Sequence, residues 1–225
     1  MNPIGYRMLS RSSTPVTGDL LQQYATVGSA QISDCMERLY GVDGLRPMHG
    51  GTNRMVGLAV TVKVRPGDNL MIHKAIEMAG PGDVIVVDGA GDTTNALVGE
   101  LMMMAAHERG IVGFVIDGAV RDVDVFAKND FGCFARGVAH KGPYKDGPGE
   151  VNVPVSVGGQ VIHAGDVIVG DADGVVAIPA EHAAAILALA LKKEAAELVS
   201  KEKILAGTYQ KPWLEKTIAE KTGAV

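Results

Sequence analysis

Apolar and polar positions along this chain change period several times, and each change marks an element. Between Thr17 and Gly41, Leu20, Leu21 and Tyr24, then Ile32, Met36 and Leu39, recur at helical spacing. That predicts one or two helices. "MVGLAVTVKV" (Met55–Val64) is a nearly unbroken apolar run closed by "RPGDN", which reads as a strand ending in a Pro-Gly turn. "NLMIHKAIEMAGPGD" returns to helical spacing and stops at Gly80-Pro81. "DVIVVD" reads as a buried strand feeding the glycine-rich "GAGDTT". "NALVGELMMMAAHERG" predicts a helix and "IVGFVIDGAV" a further strand. Strand and helix alternate here, so an α/β core with some parallel pairing is expected.

From Phe131 the texture changes. Short β-branched runs stand between Gly and Pro turns up to Pro179, which predicts a β-rich layer. Ala180 to Ala206 is a long amphipathic helix, with Ala, Ile and Leu on one side and Lys and Glu on the other. "GTYQKPWLEKTIAEKTGAV" reads as a tail, in which Trp213 anchors either on its own domain or on a neighbouring subunit. The expectation is one domain over 1–225: N-terminal helices over 1–45, an α/β core with a β-rich layer over 50–180, and a C-terminal helix and tail over 181–225.

Composition narrows the function classes. Aromatics are only 4% and the formal net charge is -5 with no basic tract, which argues against a nucleic-acid surface. The longest apolar run, "AAAILALAL", is far short of the roughly 20 residues that a membrane span needs. The N-terminal residues hold no apolar h-region, so a cytoplasmic protein is expected. Cys35 and Cys133 form no CxxC pair and read as reduced thiols.

The candidate chemistry lies in Glu100, Arg121 and Asp122, with twenty residues (101 to 120) between the first and the pair. Glu100 opens a helix and Arg121-Asp122 closes the following strand. If the chain there stays extended, Arg121 and Asp122 point to opposite sides and grip two parts of one ligand. In a parallel unit "VVDGAGDTT", "GEL" and "AVRD" can line one crevice. Asp122 is a hard oxygen ligand suited to Mg²⁺ or Mn²⁺. Arg121 is a planar fork for a carboxylate. Gly99 can break the helix and leave the amides of Leu101 and Met102 open to an anion. Glu100 can act as a base through a bound water. The same residues also read as a surface ion pair and a solvated helix glutamate.

Other motifs carry less. "DGAGD" lacks the lysine of a phosphate loop, and the histidines, His73 and His107 among them, show no metal-ligand spacing. Lys63 and Lys74 are the core lysines available for Schiff-base chemistry, and each reads more simply as a strand-edge or helix-surface residue. Met102, Met103 and Met104 read as packing.

These segments resemble a known family. "ISDCMERL", "GLAVTVKVRPGDNLMIHKAI", "PGDVIVVDGAGD", "GELMMMAA", "GIVGFVIDGAVRDVD" and "GDADGVVAIP" are similar to the class II 4-hydroxy-4-methyl-2-oxoglutarate/4-carboxy-4-hydroxy-2-oxoadipate aldolases. That family shares a superfamily with the regulator of ribonuclease activity A. Its acidic-residue, twenty-residue gap, Arg-Asp motif stands here as Glu100, Arg121 and Asp122, with Glu where many members have Asp. The resemblance implies a swivelling β/β/α-type fold, a homotrimer or homohexamer, and a divalent metal held by Asp122 and waters. It further implies that Arg121 and the amides of Leu101 and Met102 bind a pyruvyl group, and that Glu100 helps protonate the enolate. Acidic residues of a neighbouring subunit take part in members, and Glu37, Glu197 and Glu202 are candidates. The expected reaction yields pyruvate and a 2-oxo acid, with oxaloacetate decarboxylation beside it. The rivals are a non-catalytic ribonuclease-regulator-like binding module and a related enzyme acting on another 2-oxo acid.

Overall fold

The computed structural model describes residues 4–11, 13–50 and 54–223. The elements run in the order α1 (Gly18–Tyr24), α2 (Ser29–Cys35), β1 (Arg46–Pro47), β2 (Met55–Val64), α3 (Leu70–Met78), β3 (Asp83–Asp88), β4 (Ala96–Val98) and α4 (Glu100–Glu108). There follow β5 (Gly113–Val120), α5 (Val123–Phe126), β6 (Gly132–Val138), β7 (Gly149–Val151), β8 (Val155–Val157), β9 (Gln160–Ile162), β10 (Val167–Asp171) and β11 (Gly174–Ile178). The chain closes with α6 (Ala183–Leu205) and α7 (Pro212–Thr222).

The architecture is mixed α/β with a long C-terminal helix. One large sheet has the order β1-β6-β5-β3-β2-β10-β11, with β4 added to β5 and β7 to β2. The centre, β2-β3-β5-β6, is parallel, and β10 and β11 extend it antiparallel. Every residue of β5 is buried, as expected of a parallel strand covered on both faces. The two faces separate by strict alternation. Ile85 and Val87 join Phe114 and Ile116 beneath α3 and α4, where Ile72, Ala75, Met103 and Ala106 pack. Val84 and Val86 face the other way, into a cluster with Val115, Phe134 and Ile168. A third cluster seats Tyr24, Val27 and Ile32 against Val167, Val176 and Leu187.

Contacts divide the chain into two compact units, Met1–Ala190 and Leu191–Val225. In the second unit, residues 211–223, read from the sequence as tail, contain α7, with Pro212 at its first turn. Proline suits that position because its missing N–H is an orphan there anyway. Trp213 is 58% exposed on this helix. A second correction falls at residues 96–98, expected to be helical. They form β4, whose Ala96 and Val98 pair with Ala119 and Val120 of β5, and the helix starts only at Glu100. Pairing to a buried strand outweighs the modest helical preference of Ala-Leu-Val. Cys35 and Cys133 are not joined in a disulfide. Among the described residues no helix is long and apolar enough to cross a membrane.

Candidate active site

β5 ends at Val120, and the next two residues do not continue it. Asp122 sits in the left-handed region at φ 58° and ψ 37°. Aspartate tolerates that conformation better than most residues, and such outliers gather at functional sites. The turn overrides the expectation that Arg121 and Asp122 point apart. Their side chains converge instead, with Arg121 Nε 3.7 Å from Asp122 Oδ2. Both stay partly open, at 44% and 40% side-chain exposure, so a ligand can reach either.

The β4–α4 junction meets this turn. Arg121 N–H donates to the Val98 carbonyl at 3.0 Å. Asp122 Oδ2 accepts from the Glu100 N–H at 2.9 Å and so covers the first amide of α4. The first intrahelical bond here runs from Met103 N–H to the Gly99 carbonyl. The amides of Leu101 and Met102 therefore lack helical partners, and the positive end of the helix dipole adds to their pull on an anion. Gly99 leaves room for the side chains of Asp122 and Arg121. A Cβ there would lie 2.5 Å from Asp122 Oδ2 and 2.9 Å from Arg121 Cγ.

A cleft of about 190 Å³ opens beside this junction. Gly99, Leu101, Met102 and Arg121 line it, together with β4. Glu100 and Asp122 do not line it; they stand next to Gly99 and Arg121. "DGAGD" also lies outside this wall, contrary to the shared crevice expected. β4 takes the place beside β5, and the loop turns away to Asp117, whose carbonyl accepts from Gly91 N–H.

Sequence reasoning missed part of the wall: Asn69, His73, Pro143 and Lys145. Asn69 is 2% exposed; its amide nitrogen donates to the Leu97 carbonyl at 2.9 Å, and its Oδ1 has no partner. Burial, and then the Lys145 ammonium, lower the His73 pKa from its ordinary value. Arg121 and Lys145 bring two basic side chains to the cleft wall. Lys145 was hidden in "HKGPYKDGPGE", whose Gly and Pro signal only a loop. Of the two lysines weighed for Schiff-base chemistry, Lys74 pairs with Glu77 at 3.0 Å and Lys63 borders a different cavity. Glu37 follows α2 at φ 55°, while Glu197 and Glu202 lie on α6 in the second unit.

Among the described residues no three His, Cys, Asp or Glu side chains gather to hold a metal ion. A cation here would have Asp122 as its protein ligand. Mg²⁺ fits such a site, because it keeps several waters and accepts one or two carboxylates. Zn²⁺ would want three or four nitrogen and sulfur ligands, and none are grouped here.

The family model described as "RraA-like: Aldolase/RraA" matches residues 29–177. The chain belongs to this family. The match spans α2 to β11 and so contains the whole cleft. A relative from Halalkalibacterium halodurans, provisionally named 4-hydroxy-4-methyl-2-oxoglutarate aldolase, is 42% identical over 79% of this chain and 84% of its own. A crystal structure of an uncharacterised protein from Pseudomonas syringae pv. tomato superposes with a TM-score of 0.78 at 30% identity, over 87% of this chain and 96% of that one. The RNA-processing inhibitor RraA from Thermus thermophilus, at 31% identity, covers 68% of this chain and 92% of its own, with a TM-score of 0.62. The family thus carries two kinds of name, an aldolase and an inhibitor of RNA processing.

Proposed function

We propose that this family member is a divalent-metal-dependent pyruvate aldolase. It cleaves 4-hydroxy-4-methyl-2-oxoglutarate or 4-carboxy-4-hydroxy-2-oxoadipate to pyruvate and a 2-oxo acid. The observation that carries the reading is the meeting of Arg121 and Asp122 at the open N-terminus of α4, beside a small cleft lined by Arg121 and Lys145.

Arg121 offers two parallel N–H donors to the C1 carboxylate, and the amides of Leu101 and Met102 add donors to the carboxylate and keto oxygens. Lys145 adds a second cation for a substrate that carries more than one carboxylate. Mg²⁺ or Mn²⁺ held by Asp122 would supply Lewis-acid withdrawal of charge from the C2 keto oxygen. Glu100, through a water, takes the C4 hydroxyl proton; C4 becomes the carbonyl carbon of the second 2-oxo acid as the C3–C4 bond breaks. Its electron pair moves onto C3 and the keto oxygen, which gives the pyruvate enolate. Arg121 stands where that negative charge grows, so its stabilisation is preorganised. Glu100, acting through a water, delivers the proton to C3 and releases pyruvate. Loss of CO₂ from oxaloacetate yields the same enolate, so decarboxylation should accompany cleavage.

Assembly as a trimer or hexamer belongs to this proposal. Leu101 is 78% exposed and Met104 57% on α4, an apolar face that a closed oligomer would cover. A fully active monomer by light scattering would contradict that part. The likeness to an RNA-processing inhibitor supports a second reading, a binding module without catalysis.

One assay separates the two. Purified protein is mixed with 4-hydroxy-4-methyl-2-oxoglutarate, and pyruvate is followed with Mg²⁺ or with a chelator. The aldolase reading expects pyruvate only with the metal. Full activity in chelator, with borohydride trapping of a lysine adduct, would move the chemistry to a Schiff base. No pyruvate from this substrate, 4-carboxy-4-hydroxy-2-oxoadipate or oxaloacetate would favour the binding module.

A further inference from the structure

Part of the cleft wall comes from two pieces of chain that no regular element joins. One is the start of α3, with Asn69 and His73. The other is the loop 139–148, with Pro143 and Lys145. Asp68 lies between them and is 1% exposed. Its Oδ1 accepts from Leu70 N–H at 2.9 Å, in the first turn of α3. Its Oδ2 accepts from Asp146 N–H at 2.7 Å and from Gly147 N–H at 2.9 Å. Arg65, 3.3 Å from the same oxygen, supplies the countercharge. Two backbone bonds run alongside, from Asn69 N–H to the Tyr144 carbonyl and from Tyr144 N–H to the Gly67 carbonyl.

A buried carboxylate is tolerated only when it is paired and hydrogen-bonded. This one spends its acceptor capacity on the backbone. Its amide donors belong to the residue after Lys145, to the one beyond, and to the residue after Asn69. Fixing them fixes where two cleft residues leave the main chain. An asparagine could not replace it, because its NH₂ group would confront N–H donors.

We propose that Asp68 is a positioning residue, clamping the Lys145 end of loop 139–148 to the first turn of α3 and thereby setting the cleft's grip on its anionic substrate. The inference rests on the aldolase reading for its substrate and on the hydrogen bonds alone for its mechanics. It predicts that Asp68 acts through Lys145.

The experiment is a double-mutant cycle on the full chain with Mg²⁺ and 4-hydroxy-4-methyl-2-oxoglutarate. Residues that share partners couple measurably, so Asp68→Asn should raise KM about tenfold while kcat falls less than about threefold. In a Lys145→Ala background the same change should raise KM less than about threefold, because the grip it tunes is already gone. A merely structural defect would lower the active fraction, and so kcat, equally in both backgrounds. That result, or an equal rise of KM in both, overturns the proposal. Should Asp68→Asn not fold, amide exchange of the wild type decides. Asp146 and Gly147 should exchange at least about 10²-fold more slowly than free peptide although they lie in a loop, and free-peptide rates would overturn the clamp. Wild-type protein that cleaves no 2-oxo acid refutes the aldolase reading, while the exchange measurement still judges the clamp.

Discussion

Asp68 and Asp122 each adjoin a residue of the cleft wall, Asn69 and Arg121, and are built in opposite ways. Asp68 is 1% exposed, and both its oxygens are taken by backbone amides of chain segments far apart in sequence. Asp122 has a side chain 40% exposed, with one amide and one distant guanidinium on the same oxygen. The first is buried and turned to the backbone, away from any ligand. The second keeps an oxygen available and is held in a left-handed turn to present it. Burial and full satisfaction mark a carboxylate that holds structure. Exposure, partial satisfaction and backbone strain mark one that can meet substrate or metal.

The contrast breaks most sharply at Asp122. Asp122→Ala removes the proposed metal ligand, and pyruvate release should fall to background with Mg²⁺ affinity lost by calorimetry. Retained Mg²⁺ binding would place the metal elsewhere. Next comes Arg121→Lys, which keeps the charge and loses the two-point fork. Losing a preorganised donor costs on the order of 3–4 kcal/mol in the transition state, so kcat/KM should drop by roughly 10²–10³-fold. Gly99→Ala sharpens the comparison without touching a charge. Its Cβ would press on Asp122 Oδ2 and Arg121, and misplacement by about 1 Å can cost about 10²-fold in rate. Its thermal midpoint should stay near wild type, since the Gly99 backbone is extended at φ -158° and any residue can adopt it.

The smallest effect concerns a carboxylate of the Asp68 kind. Glu150 accepts from Arg7 and from Gly5 N–H, and its pKa is lowered from 4.5 to about 2, the Arg7 hydrogen bond being the largest cause. A folded-state pKa below the unfolded one means stability that is present above about pH 4.5 and is lost as pH falls toward about 2. Melting temperatures of the wild type should therefore fall through that window, and Glu150→Gln should flatten the fall. An unchanged slope would show that the pair contributes nothing.

The core was legible in the sequence because its signal is local. Val84 to Val87 and the apolar run to Val120 alternate between two buried faces, and α3 shows its period openly. β4 escaped because three residues are too few to set a period, and Ala-Leu-Val runs without a break toward the helix that follows. α7 escaped because it buries nothing, although Pro212 was a readable start. Glu100, Arg121 and Asp122 were singled out from their spacing, and the open amides from Gly99; the structure brings Arg121 and Asp122 together at the start of α4. The left-handed turn at Asp122 was not legible, since aspartate at a strand end allows either conformation. Asn69, Lys145 and Asp68 were also out of reach. What joins them is a set of bonds between residues 67–70 and 144–147, more than seventy positions apart. No local pattern records such a meeting.

The central claim is that this cleft makes and protonates the enolate of pyruvate. Exchange of the pyruvate methyl protons in D₂O, followed by NMR, tests it without requiring the right aldol substrate. Wild-type protein with Mg²⁺ should exchange them, and Asp122→Ala should not. Glu100→Gln should bind oxalate nearly as the wild type does yet exchange on the order of 10²-fold more slowly or worse, because proton transfer has lost its carboxylate. Exchange at the wild-type rate in Glu100→Gln would remove Glu100 from proton transfer. No exchange by the wild type with Mg²⁺ or Mn²⁺ would contradict the account itself.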